Sequence, residues 1–148
     1  MSELYSTKVT ATGGRQGEVR SEDGILSLDL APPQGLGGPG GKTNPEQMFA
    51  GGFAACFGNA VIHAARAQKL SVKDRDVEVI GKVGIGPNAS GGFGLSVALE
   101  TTIAGLSQSE AEDLVEAAEK VCPYSNACLL YTSPSPRDLS TSRMPSSA

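Results

Sequence analysis

Two cysteines stand in the segments of this chain whose residue types are best suited to chemistry. Cys56 lies within a helical pattern of Ala, Gly and Phe, and Cys122 lies at the end of a second helical pattern, directly before a proline. The two positions are 66 residues apart, so only the fold could bring the sulfurs together. A cysteine pair of this kind in a cytosolic chain indicates reversible thiol chemistry.

Each cysteine taken alone is more often a buried and unreactive small residue. Cys56 stands in the middle of a helix, where no helix N-terminus lowers its pKa, so a reactive thiolate would need a nearby cation. Arg15, Arg20 and Arg66 are the candidates. The single histidine, His63, lies about 10.5 Å farther along the same helix, which is too far for a Cys–His dyad. These residues by themselves leave a redox role and an inert core role both open.

Glu46 is the carboxylate nearest in sequence to Cys56 on the predicted helix. On a straight helix the two lie about 15 Å apart and about 80° around the axis. A direct role of Glu46 at Cys56 requires a break near Gly51 and Gly52, or delivery from a partner chain. The alternative is a carboxylate that suits the first turn of a helix. Zinc needs three or four ligands, and the chain has no CxxC or HxxxH spacing, so no metal is predicted.

Residues 35–43 form a Gly-rich run that ends in Gly-Lys-Thr and resembles a phosphate-binding loop. A phosphate loop needs glycine at position 36, where Leu36 stands, and it needs Lys-Thr to open the helix. Here Asn44 and Pro45 form a separate helix start. The run is therefore predicted to be a flexible connector rather than a nucleotide site.

The length, net charge and cysteine count of the chain exclude several classes of function. The chain has 148 residues, a net charge of -4 and a pI of about 5.0, so neither nucleic acid nor an anionic membrane is expected as its main partner. No segment is expected to match the roughly 20 apolar residues of a membrane-spanning helix, and the N-terminus has no apolar signal core. Three cysteines are too few for a secreted disulfide framework, which predicts a cytoplasmic location.

The hydrophobic pattern predicts one α+β domain. Strands are predicted at 4–12, 15–20 and 25–30 as an antiparallel meander, and at 77–86 and 93–104 as a hairpin. A helix with Asn44 as its N-cap is predicted to run to about Leu70 and to be buried on every side. A second helix is predicted to follow the capping box of Ser107 and Glu110 and to stop at Pro123. Residues 128–148 are rich in Ser, Thr and Pro, which predicts disorder.

Four segments taken together resemble the organic hydroperoxide resistance (Ohr) branch of the OsmC superfamily. They read Thr12-Gly-Gly-Arg15, Thr43-Asn-Pro-Glu-Gln-Met-Phe49, Ala54-Ala-Cys-Phe57 and Val121-Cys-Pro-Tyr-Ser-Asn126. The resemblance runs from about residue 4 to 127, which defines the predicted OsmC/Ohr-like domain as 1–127. Residues 128–148 depart from it and look like translated adaptor or vector sequence, so they are predicted to be a non-native tail.

The resemblance implies a thiol peroxidase that reduces alkyl and fatty-acid hydroperoxides. According to this resemblance, Cys56 is the peroxidatic cysteine and Cys122 is the resolving cysteine. Arg15 then holds Cys56 as a thiolate, and Glu46 pairs with that arginine. The implied reductant is dihydrolipoamide, carried on lipoylated proteins, and no metal or organic cofactor is required. The implied fold is OsmC-like: an intertwined homodimer with antiparallel sheets wrapped around long central helices.

An apolar substrate pocket is predicted from side chains that flank these residues. The candidates are Met48, Phe49, Phe53 and Phe57. The same side chains are equally suited to a plain hydrophobic core. Two other functions stay open beside the peroxidase: a non-catalytic OsmC-like redox sensor or small-molecule binding protein, and a structural protein with inert thiols.

Overall fold

The computed structural model describes residues 1–128 and 141–144, and for the latter only the backbone. It has mixed α and β structure with two antiparallel three-stranded sheets and one long helix, which confirms the predicted α+β fold. The chain divides into two compact units, Met1–Met48 and Phe49–Ala148. Each unit is described separately below.

The first unit contains the predicted meander. Its strands, in the order β1-β2-β3, are β1 (Val9–Thr12), β2 (Glu18–Ser21) and β3 (Ser27–Asp29). They are shorter than predicted because Arg15 lies in a 3-10 turn, Gly14–Gln16, and not in a strand. Gly13 and Gly14 have φ of 77° and 57°, and this left-handed backbone favours glycine. The turn lifts Arg15 out of the sheet ladder.

The long helix α1 spans Pro45–Ala67 and begins as the sequence predicts. Asn44 Oδ1 accepts the Gln47 backbone N–H at 3.0 Å, which is an N-cap hydrogen bond. The helix ends three residues earlier than predicted. Lys69 has φ of 58°, and the Leu70 N–H donates to the Ala65 carbonyl at 2.9 Å. This is a Schellman ending, and it turns Leu70 back onto the core.

One face of α1 is buried and the opposite face is exposed. The buried residues are Phe53, Phe57, Ala60, Val61, Ala64 and Ala65. Exposed residues recur every four positions at Gln47, Gly51, Ala55, Asn59 and His63, and Arg66 and Ala67 are exposed at the end of the helix. The prediction of burial on every side is therefore wrong for the single chain, because only one side of the helix receives the sheet and α2.

The apolar character of α1 also corrects the expectation about membrane length. With 23 residues and a mean hydropathy of 1.4, α1 is long and apolar enough to cross a membrane by length and composition. Its many Ala residues and its Phe residues are apolar, so they raise the mean hydropathy of a helix that packs in a protein core just as they would in a lipid-facing one. The core helix of a soluble protein meets the same criterion.

In the second unit, α1 packs on a long hairpin. Strands β4 (Val77–Pro87) and β5 (Phe93–Ile103) pair along their whole length. Gly81 allows the close approach of the helix, since a Cβ on it would lie 2.6 Å from the Ala50 carbonyl oxygen. The core between them includes Leu99, which is 2% exposed.

The helix α2 (Gln108–Val121) leads to the second cysteine. Ser107 and Glu110 form the predicted capping box. Cys122 follows as the C-cap residue and is 0% exposed. The sequence did not predict the next element, α3 (Pro123–Cys128): the proline ends α2 but also opens a new helix, because proline suits the first helical position.

The segment predicted to be a non-native tail lies mostly outside the described residues. Strand β6 (Thr141–Met144) pairs antiparallel with β5. Residues 129–140 and 145–148 are among those not described. The domain boundary at 127/128 and the disorder of the remaining segment stay predictions.

Candidate active site

The fold brings the two cysteines into contact. The Cys122 thiol donates to the Cys56 sulfur with an Sγ–Sγ distance of 3.8 Å, across 66 residues of chain. Both cysteines are free. They belong to one hydrophobic core, in which Cys122 is completely buried and Cys56 is half-buried. A disulfide bond is about 2.05 Å long, so the sulfurs are about 1.8 Å from bonding distance. The arrangement suits a pair that is reduced in one state and bonded in another.

The surroundings of Cys56 in this unit disfavour its thiolate. Burial raises the pKa of Cys56 above its ordinary value, the backbone of Tyr124 lowers that pKa, and the neighbouring Cys122 raises it again. Removing a thiolate from water costs free energy that only positive charge or hydrogen-bond donors offset. A reactive Cys56 therefore needs a cation in addition to the Tyr124 backbone.

The short helix α3 supplies two contacts to this pair that the sequence reading missed. The backbone N–H of Ser125, a residue that is 2% exposed, points at the Cys122 sulfur at 3.5 Å. The Tyr124 ring packs on α1, where a Cβ on Gly52 would lie 3.3 Å from the Tyr124 hydroxyl oxygen. The only sequence signal was the proline after Cys122, which is suited to start a helix as well as to end one.

Arg15 and Glu46 form a bidentate ion pair in the first unit. Arg15 donates from Nη1 to Glu46 Oε2 at 2.8 Å and from Nη2 to Glu46 Oε1 at 2.6 Å. The side chains are 39% and 12% exposed. The hydrogen bonds from Arg15 hold the pKa of Glu46 below its ordinary value, against the opposing effect of burial. Two parallel N–H···O bonds fix the plane of the guanidinium, so the pair orients as well as binds.

The 3-10 turn and the first turn of α1 place this ion pair. Arg15 is the middle residue of the turn, and Glu46 is the second residue of the helix. The helix continues through Gly51 and Gly52, without the break that a direct role of Glu46 at Cys56 in the same chain would require. The carboxylate of Glu46 thus accepts hydrogen bonds from Arg15, and it also lies at the N-terminal end of α1, where negative charge is favourable.

The other two candidate arginines each have a carboxylate partner on the surface. Arg20 pairs with Glu18 at 2.6 Å, and Arg66 pairs with Asp74 at 3.2 Å. All four of these side chains are at least 40% exposed. Exposed pairs of this kind contribute little to stability, because water and salt screen the attraction between the charges.

The four candidates for a substrate pocket differ in burial. Phe53 and Phe57 are at most 1% exposed and belong to the core, whereas Met48 and Phe49 are half-buried. The rings of Phe49 and Phe53 meet edge to face, with centroids 5.9 Å apart. Their role as a pocket stays a prediction.

The Gly-rich run forms the wall of a cavity in the first unit. The cavity has a volume of about 530 Å³, and Leu30, Pro32 and Lys42 are among its lining residues. Lys42 lies 3.8 Å from Asp29, and the helix opens only at Pro45, so the run does not have the form of a phosphate loop. Within residues 1–128, His, Cys, Asp and Glu side chains form no group of three that could hold a metal ion.

The four predicted reactive residues thus come together as two pairs, Arg15 with Glu46 and Cys56 with Cys122. The family model described as OsmC-like protein matches residues 38–130 of the chain. An organic hydroperoxide resistance protein of Xanthomonas axonopodis pv. citri is 46% identical over 125 residues, which cover 84% of this chain and 87% of that protein.

Solved structures agree with these sequence comparisons. An organic hydroperoxide resistance protein from Elizabethkingia anophelis superimposes with a TM-score of 0.80 at 45% identity, covering 86% of this chain and 90% of that one. The organic hydroperoxide resistance protein OhrB of Bacillus subtilis gives a TM-score of 0.76 at 41% identity, with 84% and 91% covered.

Proposed function

Because this chain belongs to the organic hydroperoxide resistance branch of the OsmC-like family, we propose that it is a cysteine-based peroxidase that reduces organic hydroperoxides to alcohols. The observation that carries the proposal is the 3.8 Å contact between the Cys56 and Cys122 sulfurs. A thiol peroxidase of this type needs a second thiol within reach of the first. The names of the relatives support organic hydroperoxides as the substrate class.

The first chemical step takes place at Cys56, the more exposed of the two sulfurs. Its thiolate attacks the distal peroxide oxygen, the S–O bond forms as the O–O bond breaks, and the alkoxide leaves and takes up a proton to become the alcohol. The peroxide is reduced by two electrons, and Cys56 is oxidised to a sulfenic acid.

The second step uses Cys122. Its thiol condenses with the Cys56 sulfenic acid, so that the S–S bond forms, the S–O bond breaks and water leaves. The complete burial of Cys122 keeps this thiol away from peroxide and other solutes until the sulfenic acid is made. The disulfide is then reduced by thiol–disulfide exchange with a dithiol, for which we propose dihydrolipoamide or a lipoylated protein.

Arg15 is proposed to supply the positive charge that the surroundings of Cys56 lack. Burial raises the pKa of Cys56, and a guanidinium next to the sulfur would lower it. The bidentate bonds to Glu46 would then fix the plane of Arg15 and leave its outer N–H groups for the peroxide. The family resemblance supports this assignment, and so does the position of Cys56 in the middle of α1, far from the N-terminus of its own helix.

The proposal also includes the assembly and location that the resemblance implies. We propose a homodimer, in which the exposed face of α1 and the outer edge of β4, which pairs only with β5 among the described strands, are suited to contact a second copy. We also propose a cytoplasmic location, where dithiol reductants keep such cysteines in turnover.

The test is a coupled assay with an alkyl hydroperoxide and dihydrolipoamide. The wild-type chain should reduce many equivalents of hydroperoxide, whereas Cys56→Ser should give only the background rate. Cys122→Ser should form one equivalent of sulfenic acid, detected by a dimedone adduct on Cys56, and then stop. Wild-type turnover no faster than that of Cys56→Ser would reject the peroxidase.

The same experiment separates the enzyme from a redox sensor. A sensor would form the Cys56–Cys122 disulfide after peroxide exposure but would not complete many turnovers with the dithiol. Slow alkylation of both cysteines in the folded protein, with no disulfide after peroxide, would instead indicate inert core thiols.

A further inference from the structure

Tyr124 covers the turn of α1 that precedes Cys56. A Cβ on Gly52 would lie 3.3 Å from the tyrosine hydroxyl oxygen and 3.4 Å from ring atom Cε2. The centroid of the same ring is 5.9 Å from that of Phe53, with an interplanar angle of 43°. Gly52 and Phe53 are the residues four and three positions before Cys56, so both are its neighbours on the helix surface.

The direction of helical side chains puts the Cys56 side chain on the same part of the helix surface as this ring. Side chains on an α-helix lean toward its N-terminus, so the Cys56 sulfur leans over the turn that contains Gly52. Glycine at that position leaves the space that the Tyr124 ring occupies. The backbone of Tyr124 also faces Cys56 closely enough to lower the pKa of its thiol.

We propose that the ring of Tyr124 sets the width of the approach to Cys56 and so selects hydroperoxides by the bulk of the group next to the peroxide bond. This inference rests on the proposed function. It assigns Tyr124 as a specificity-determining residue and Gly52 as the residue that makes room for its ring.

The burial of the neighbouring side chains supports this assignment. Phe53 and Cys122 are each 0% exposed, and both belong to the hydrophobic core against which Cys56 packs. Tyr124 is 42% exposed, so its ring is the outer part of the wall that an incoming molecule meets. A solvent-facing ring held on one edge by Phe53 is a wall that a substitution can remove without emptying the core.

The experiment measures access to Cys56 directly and does not depend on peroxidase activity. Wild type, Tyr124→Ala, Tyr124→Leu and Tyr124→Phe are reacted with N-methylmaleimide and with the wider N-phenylmaleimide, and the Cys56 adduct is followed by peptide mass spectrometry. Tyr5→Ala is the matched control, because Tyr5 is 80% exposed. Circular dichroism verifies that each variant is folded before its rates are compared.

The ratio of the N-phenylmaleimide rate to the N-methylmaleimide rate is the readout. This ratio should rise about tenfold in Tyr124→Ala and by less in Tyr124→Leu. A change of this size is usual when the bulk of a side chain in a pocket wall is altered. Tyr124→Phe and Tyr5→Ala should leave it at the wild-type value, since the first keeps the ring. An unchanged ratio in both small variants, or an equal rise in Tyr124→Phe, would overturn the proposal.

The same variants are then assayed with ethyl hydroperoxide and cumene hydroperoxide. The kcat/KM ratio of cumene to ethyl hydroperoxide should rise in Tyr124→Ala in parallel with the maleimide ratio. If wild type reduces neither peroxide, the proposed function is rejected, while the maleimide ratio still decides the role of the ring. A maleimide ratio that rises with an unchanged peroxide ratio would overturn the assignment of substrate selection to Tyr124.

Discussion

Oxidation of the cysteine pair should stabilise the fold strongly. One equivalent of organic hydroperoxide should link Cys56 to Cys122 and close a loop across 66 residues. The loss of chain entropy in the unfolded state for a loop of this length corresponds to a stabilisation of about 4 kcal/mol. For a chain of this size, about 4 kcal/mol raises the melting temperature by roughly 10 °C.

The native geometry decides how much of this stabilisation is realised. The sulfurs are 3.8 Å apart and must move about 1.8 Å closer to form the bond. Cys56 is half-buried, so its side chain is the less confined of the two. Cys122 is already 0% exposed, so the reaction changes its burial little, and strain in the linked state is the main quantity that would reduce the gain.

The assay is thermal unfolding by circular dichroism at one fixed protein concentration, for samples reduced by dithiothreitol and oxidised by hydroperoxide. Mass spectrometry confirms the intramolecular link. Cys128→Ser should retain the full increase in melting temperature, whereas Cys122→Ser should show none. A confirmed disulfide with a rise below about 3 °C would refute the reasoning, because the 3.8 Å contact would then close only with strain that cancels the entropy gain.

Three other perturbations test separate parts of the structure. Gly81→Ala should destabilise the chain by about 1–3 kcal/mol in urea unfolding, since its Cβ would lie 2.6 Å from a carbonyl oxygen of α1, whereas Gly86→Ala, with open space around it, should not. Glu46→Gln should lower the melting temperature most near pH 7. The ion pair lowers the pKa of Glu46, so its contribution to stability is complete above the unfolded pKa of 4.5 and is lost as the pH falls through the folded pKa. A difference in melting temperature between wild type and Glu46→Gln that stays constant from pH 7 to pH 3 would contradict this. Arg15→Ala should raise the pKa of Cys56, measured as the midpoint of the pH profile of thiol alkylation, and an unchanged midpoint would remove Arg15 from the proposed site.

The local structure of this chain could be predicted because local residues stabilise it. Asn44 and Ser107 cap α1 and α2 as their sequence context predicts, with partners within three residues. The long hairpin of β4 and β5 likewise follows from two alternating runs around a turn. The motifs around Cys56 and Cys122 were sufficient to predict the family, because those residue types are adjacent in the chain.

The predictions that failed depend on packing over longer distances. The composition of the first half of α1 shows that it is apolar, but it does not show which side the sheet covers, so the exposure of Gly51 and Ala55 was not predicted. Similarly, Pro123 is compatible with the end of one helix or the start of another. The structure has both, and the extra turn brings Tyr124 over Gly52.

The sequence by itself thus determined which residues are available for chemistry, which helices and strands carry them, and which family they belong to. Only the tertiary structure decided that Cys122 lies 3.8 Å from Cys56, that Arg15 donates two hydrogen bonds to Glu46, and that the Tyr124 ring lies against Gly52, one helical turn before Cys56. The physical reason is distance along the chain. Contacts across 31 and 66 residues are made by the burial of apolar faces from several elements at once, and no local pattern of residues specifies them.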